Sequence, residues 1–246
     1  MKEYFFLTSL PRSGNTLLGS LINQNNNVTV SANSILIDVL FKLNEIKIFN
    51  KYYHNFPDEQ SFDNISRNVF NNYYQNYKAH KIINRGMWGT TGNLYLLKKI
   101  IKKPKFIILY RPVLECLASF IRIEKPNNIQ EACNYYMGEK GIINMSLCSI
   151  KNILKEKEES ILVDYKDLIT DPIKTVKTIF NFIEEDFINI KINNFNQFSA
   201  NNISYDDSVL KSPLHTIRTD KIELNKYNIK DYLPSNIINN YSNLDI

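Results

Sequence analysis

Cysteine is scarce in this chain. Only Cys116, Cys133 and Cys148 occur in 246 residues. Their number is odd, they form no C-x-x-C pair and each lies in an apolar stretch that reads as helix, so reduced core thiols are expected rather than a disulfide framework. Long hydrophobic runs are missing too: the apolar stretch from Tyr4 to Leu10 is ended at once by Pro11 and Arg12. A membrane-spanning helix needs about 20 apolar residues, and no small-residue cleavage site follows. The stretch is therefore expected to be a strand of the mature fold, without a membrane span, and the protein to stay in the cytoplasm. There is no charged tail, because the net charge of +5 comes from Lys and Arg scattered along the whole chain. Such a mild excess suits a pocket for an anionic small molecule better than a nucleic-acid groove, so no nucleic-acid partner is expected. Internal repeats are absent, and the many Asn, Ile and Lys residues are a habit of composition that carries no functional signal.

What is present is enough apolar content, 43%, to bury one large core, and residues 1–246 are expected to form one domain. Strand and helix patterns alternate. Tyr4–Leu10 reads as a central strand buried on both faces, and Thr16–Asn23 as a helix with Leu17, Leu18, Leu21 and Ile22 on one side. Lys81–Asn84 and Lys105–Tyr110 read as strands, each followed by a helix, at 93–102 and 113–122. A long helical tract covers about 129–157, Ser160–Asp164 is another strand, and Pro172 opens a helix whose apolar face carries Ile173, Val176, Ile179, Phe180 and Ile183. The fold class expected from this alternation is α/β, a mostly parallel central sheet flanked by helices, with ligands at the carboxyl ends of the strands. Residues 189–207 lack periodicity and read as a loop leading to a C-terminal lid, so that about 189–246 is loop and lid.

Three segments carry chemistry. Leu10-Pro11-Arg12-Ser13-Gly14-Asn15-Thr16 lies between a buried strand and an amphipathic helix, where free backbone N–H groups and the helix dipole can hold an anion. Gly14 lets the backbone approach closely, Arg12 supplies charge and Thr16 a hydroxyl. A Walker loop needs a Gly separated by four residues from G-K-[ST]; neither that Gly nor the Lys is here, which argues against a nucleoside-triphosphate enzyme such as a P-loop kinase. Downstream, Leu109-Tyr110-Arg111-Pro112 ends a strand and Ser119 lies eight residues on from Arg111. With Pro112 as the first helical residue, Ser119 falls two turns later on the same face, so its hydroxyl and the Arg111 guanidinium can converge on one phosphate. The third segment is Val163-Asp164-Tyr165-Lys166-Asp167-Leu168, followed by Thr170-Asp171-Pro172, in which Asp171 caps the helix that Pro172 opens.

In combination these segments resemble the sulfotransferases that use 3′-phosphoadenosine 5′-phosphosulfate (PAPS) as sulfuryl donor. In that family a P-[RK]-S-G-[TSN]-T loop after the first strand grips the 5′ phosphosulfate, which implies that role for Pro11, Arg12, Ser13, Gly14, Asn15 and Thr16. The Arg and Ser of the second segment hold the donor's 3′-phosphate, which implies that role for Arg111 and Ser119. The third segment is similar to the family's Y-E-D-L…D-P stretch, with Lys166 in place of Glu and Tyr165 near the donor. Family members also close over PAPS with a late basic loop, making Arg218 and Lys221 candidate phosphate contacts, an exposed basic turn being the alternative. The resemblance runs from residue 4 to about 183 and is loose in the last fifth. It implies a P-loop-like sulfotransferase architecture with PAPS as co-substrate and no metal. The partner is an acceptor with a hydroxyl or amine on a small molecule, saccharide, lipid or peptide, and neither its identity nor the oligomeric state follows from the sequence.

Sulfuryl transfer needs alignment and charge neutralisation more than covalent help, so cations near the leaving oxygen are the first candidates for catalysis. Arg12 is one and Arg85, at the end of the strand between the two motif strands, is the other. In the tyrosine-sulfating members a Lys stands at the matching strand end. The general base is not assigned. Asn33 stands near the position where those members carry Glu and cannot accept a proton, while His80 lies just before the Lys81 strand, and His54 and Asp38 are weaker candidates. Without a base, a module that binds the donor without turnover stays open. Trp88 is read as core, with stacking on adenine or acceptor as the alternative.

Overall fold

Why the first strand is central is visible in its side chains. In the computed structural model, which describes residues 2–193, 196–210, 214–217, 222, 228–244 and 246, strand β1 (Glu3–Ser9) alternates between two apolar layers. Phe6 enters one core cluster and Phe5 and Leu7 the other, as the two-residue period of a strand requires. The sheet has the order β2-β3-β1-β4-β5 and all its pairings are parallel, with β2 at Val28–Asn33, β3 at Lys81–Arg85, β4 at Lys105–Tyr110 and β5 at Ser160–Asp164. Helices cover both faces. On one side lie α1 (Asn15–Ile22), contributing Leu18 and Leu21, and α10 (Pro172–Phe182), contributing Val176, Ile179 and Phe180. On the other lie α2 (Leu36–Phe49), α4 (Glu59–Tyr73), α5 (Thr91–Ile100), α6 (Val113–Glu124) and α8 (Ile142–Lys155) around Trp88 and Phe106. Each fully buried Leu, Ile or Phe in these layers contributes about 1.5–3 kcal/mol of transfer free energy. The remaining helices are α3 (Lys51–Asn55), α7 (Ile129–Met137), α9 (Tyr165–Thr170) and α11 (Ser235–Tyr241), and a two-strand hairpin, β6 (Ser199–Ala200) with β7 (Ile203–Ser204), precedes the C-terminal segment.

This is the expected α/β architecture, with four differences in detail. Residues 28–33 form a strand, because Val28, Val30 and Ser31 turn inward on an edge that pairs only with β3. Residues 36–73 form three helices; in α2 only Leu36 and Leu40 are buried while Ile48 and Phe49 are exposed. The tract at 129–157 is two helices, broken at Gly138–Gly141. A Cβ on Gly141 would stand 2.2 Å from the Tyr136 carbonyl oxygen, so the chain can double back there only with glycine. Pro112 is the residue before α6 and not its first helical residue, with ψ 137°. Of the three cysteines, all without disulfides, Cys116 and Cys133 are buried, but Cys148 on α8 is exposed and so is not a core thiol. Among the described residues no helix is long and apolar enough to cross a membrane.

The chain order of the strands brings chemistry to one edge. From β1 the chain steps outward to β2, returns through β3 and crosses over to β4, so β1 is the switch point of the sheet. In such sheets the crevice at the carboxyl ends is where ligands bind.

Candidate active site

All five strands deliver a singled-out residue at or just beyond their carboxyl ends: Asn33 from β2, Arg85 from β3, the Pro11–Gly14 turn from β1, Arg111 from β4 and Tyr165 from β5. The turn after β1 is tight. Ser13, fully buried, donates from its Oγ to the Leu10 carbonyl at 2.6 Å, and Asn15 Nδ2 donates to the same oxygen at 3.3 Å. Gly14 then adopts φ 89° as the N-cap of α1, with no side chain capping the helix. This is a conformation only glycine takes without strain. A side chain has no room there either, because a Cβ would stand 3.1 Å from two ring carbons of Tyr165. Arg12 also has a positive φ, 64°, which costs a non-glycine residue about 1–2 kcal/mol.

That strained arginine meets the second segment. Arg12 Nε donates to Ser119 Oγ at 3.4 Å, and Arg111 Nη1 donates to the Arg12 carbonyl at 2.8 Å. Arg111 is buried, forms an ion pair with Glu115 one helical turn on at 2.9 Å, and lies with its guanidinium 4.2 Å from the centre of the Tyr165 ring. Arg12, Arg111, Ser119 and Tyr165, distant in sequence, are thus one cluster. Glu115 was not singled out in the sequence, although its place four residues after Arg111 at a helix start is a pattern for an ion pair. Lys166 is exposed and Asp171 accepts from the Lys174 N–H at 3.0 Å, capping α10 as expected.

A second cluster stands beside the first, at the end of β3. Arg85 is buried, donates from Nε to Asn33 Oδ1 at 2.9 Å, and its Nη1 has no partner among the described residues. Burial in these surroundings pushes its guanidinium below the usual arginine range. Its guanidinium carbon lies 5.7 Å from the centre of the Tyr205 ring. Tyr205 in turn stacks on His215, which is bonded to Asp207. These three residues from the C-terminal segment gave no signal in the sequence. The other candidates fall elsewhere: His80 Nε2 is 3.1 Å from Glu185 at the amino end of β3, and exposed His54 is bonded to the Ile48 carbonyl. Asp38 is exposed on α2. Trp88 is fully buried and donates to Asn84 Oδ1 at 2.7 Å, so it is core and not a stacking platform. Arg218 and Lys221 lie outside the described residues.

A separate cavity of about 260 Å³, lined among others by Leu40, Lys47, Phe62, Asp63 and Leu96, shares no residue with the strand ends. It contains the Lys47–Asp63 ion pair at 2.7 Å, which makes it a feature of the helical layer.

A family profile described as a sulfotransferase domain matches residues 2–231. No curated protein matches the chain. Among solved structures it is similar to the sulfotransferase domain from the curacin biosynthetic pathway, at 16% identity over 76% of this chain and 75% of that one, with a TM-score of 0.53. It is similar to the sulfotransferase domain of the Synechococcus PCC 7002 olefin synthase at 20% identity over 76% and 75%, TM-score 0.53. A sulfotransferase from Alicyclobacillus acidocaldarius matches at 11% identity over 86% and 89%, TM-score 0.52. At these identities the likeness is one of fold. The family match, by contrast, spans the whole sheet and every strand end that carries the two clusters, and the chain belongs to the sulfotransferase family.

Proposed function

We propose that this sulfotransferase takes its sulfuryl group from PAPS and transfers it to a hydroxyl or amine of a small-molecule, saccharide or peptide acceptor. The observation that carries this reading is the meeting of Arg12, Arg111 and Ser119 at the ends of β1 and β4. Two guanidinium groups and a hydroxyl in one buried corner are a set of donors for a dianionic phosphate. A donor with phosphates at both the 3′ and 5′ positions explains why the corner needs a second arginine beyond the one in the turn. Pro11, Ser13, Gly14, Asn15 and Thr16 hold the 5′ side through backbone and hydroxyl groups, and Arg111 and Ser119 hold the 3′-phosphate. Tyr165 walls the site against Gly14. Arg218 and Lys221 are proposed as further phosphate contacts.

In the transfer, the acceptor atom attacks sulfur and forms the new bond to it. The bond between sulfur and the bridging oxygen breaks, leaving its electron pair on the phosphate. Arg12 stands where that charge grows, and its left-handed backbone is the kind of local strain that persists where function requires it. Arg85, buried at the end of the neighbouring strand β3 with an Nη1 unpartnered among the described residues, supplies a second cation toward the sulfuryl oxygens or the acceptor. The same reading has the enzyme work in the cytoplasm, supported by three cysteines without a disulfide.

Competition binding tests the donor directly. 3′-Phosphoadenosine 5′-phosphate (PAP) is expected to bind and ATP to fail as its competitor, since the turn has no Lys for outer phosphates. Tighter binding of ATP than of PAP would overturn the assignment in favour of a kinase.

A further inference from the structure

Sulfuryl transfer to a hydroxyl leaves a proton to be removed, and neither arginine can take it. Of the three histidines in the chain, His54, His80 and His215, only His215 is tied to the carboxyl ends of the strands. Its Nδ1 is 2.7 Å from Asp207 Oδ1, and its backbone N–H donates to Asp207 Oδ2 at 2.9 Å. The imidazole lies flat on the Tyr205 ring, 3.8 Å between centroids and 9° from parallel. Tyr205 is anchored in the crevice, accepting on its hydroxyl from the N–H of Asn33 at 3.3 Å and lying against Arg85. On the other side, the carbonyl of Leu214, one residue before His215, accepts from Arg12 Nη1 at 2.8 Å. His215 is therefore held between the two arginine clusters, through Tyr205 to Arg85 and through the neighbouring Leu214 carbonyl to Arg12.

We infer that His215 is the general base of this enzyme and that Asp207 is the residue that positions it. The inference rests on the sulfuryl-transfer reading above. Burial raises the Asp207 carboxyl, but the His215 backbone N–H, the His215 ring and Thr216 outweigh it and hold the group below the usual carboxylate range. A carboxylate only accepts, so Nδ1 donates to it and the lone pair of the neutral ring sits on Nε2. No described residue bonds to Nε2. Among the described residues the groups facing the ring are Asp207 and Tyr205, with Arg85 beyond the tyrosine, and Asp207 is the one carboxylate bonded to it. In the reaction the acceptor oxygen bonds to sulfur, the bridging S–O bond breaks with its electron pair going to the phosphate oxygen, and the acceptor's proton moves to His215 Nε2. Positioned bases of this kind contribute about 10²–10⁴ in rate.

The bland alternative is a strap, in which the His215–Asp207 bond only pins the segment. Two substitutions separate the readings in the full-length protein. His215→Ala removes both ring and bond; His215→Asn keeps an N–H in the place of Nδ1 for Asp207 but has no basic nitrogen. The probe is sulfur-labelled PAPS under single-turnover conditions with water as acceptor, alongside calorimetric titration with PAP. Both variants should release labelled sulfate slower than wild type by about 10²–10⁴, with PAP affinity close to wild type, and added imidazole should restore part of the rate to His215→Ala. Release by His215→Asn at the wild-type rate reduces His215 to a strap and overturns the inference. So does a wild-type rate no higher than that of buffer. Failure of wild type to bind PAP would instead sink the donor assignment on which the inference rests.

Discussion

Gly14→Ala reads the geometry of the phosphate turn most sharply. Gly14 has φ 89°, and a Cβ there would stand 3.1 Å from Cδ2 and Cε2 of Tyr165 and 3.3 Å from Cδ2 of Leu168. Two costs combine: a left-handed backbone charges an alanine about 1–2 kcal/mol, and the crowded methyl adds about 1–3 kcal/mol, for a total of about 2–5 kcal/mol. Urea unfolding of wild type and variant measures that difference. A second effect follows from the Tyr165 ring lying 4.2 Å from the Arg111 guanidinium. Pushing the ring aside moves Arg111, so PAP affinity should fall together with stability. Combining Gly14→Ala with Tyr165→Ala should relieve the contact and leave the backbone strain, so the double variant is less destabilised than the sum of the singles. If Gly14→Ala unfolds within about 0.5 kcal/mol of wild type, the left-handed turn packed against Tyr165 is wrong.

Arg12→Ala should lower kcat by about 10²–10³ while changing PAP affinity little, because its contact strengthens as charge grows on the leaving oxygen; Arg12→Lys should recover part, and an unchanged kcat makes Arg12 a positioning residue. Arg85→Met should leave the melting temperature unchanged or raised while abolishing turnover, since it replaces a buried cation with an unpartnered Nη1 by an apolar chain of similar length; a large drop in the melting temperature would show that the charge is structurally compensated. For Asp207 the folded pKa lies below the ordinary carboxylate value. Its contribution is therefore complete above about pH 3.9 and is lost as pH falls through the depressed value. Hydrogen-exchange protection around Tyr205–Leu210 and Leu214–Ile217 should fall only as pH drops below about 3.9 and lose that step in Asp207→Asn; the same acid profile in wild type and Asp207→Asn contradicts it.

The parts legible from sequence share a physical cause. β1, β3 and β4 are buried from both sides, so their runs of Phe, Ile and Leu read as strands, and the residues at their ends then fall into one crevice by the parallel-sheet rule. β2 carries a two-residue period, Val28, Val30 and Ala32 alternating with Thr29, Ser31 and Asn33, but is marked by only three small apolar residues, and α2 hid because its apolar residues lie all round. Arg111 and Ser119 were placed together through motif spacing, whereas the 3.4 Å contact between Arg12 and Ser119 depends on the left-handed turn. His215 and Asp207 were invisible for a different reason. Eight residues apart in a segment with no period, they meet only because Tyr205 and Leu214 bring that segment to Asn33 and Arg12.

The central claim is that Arg111 and Ser119 exist to hold a 3′-phosphate. It is tested most directly by calorimetric titration of wild type and Arg111→Ala with PAP and with adenosine 5′-phosphate, two ligands that differ only in that group. A charge-assisted contact to phosphate is worth about 1.5–3 kcal/mol. Wild type should therefore prefer PAP by tenfold or more, and Arg111→Ala should lose most of that preference while binding adenosine 5′-phosphate as before. Equal affinity of wild type for the two nucleotides would contradict the account.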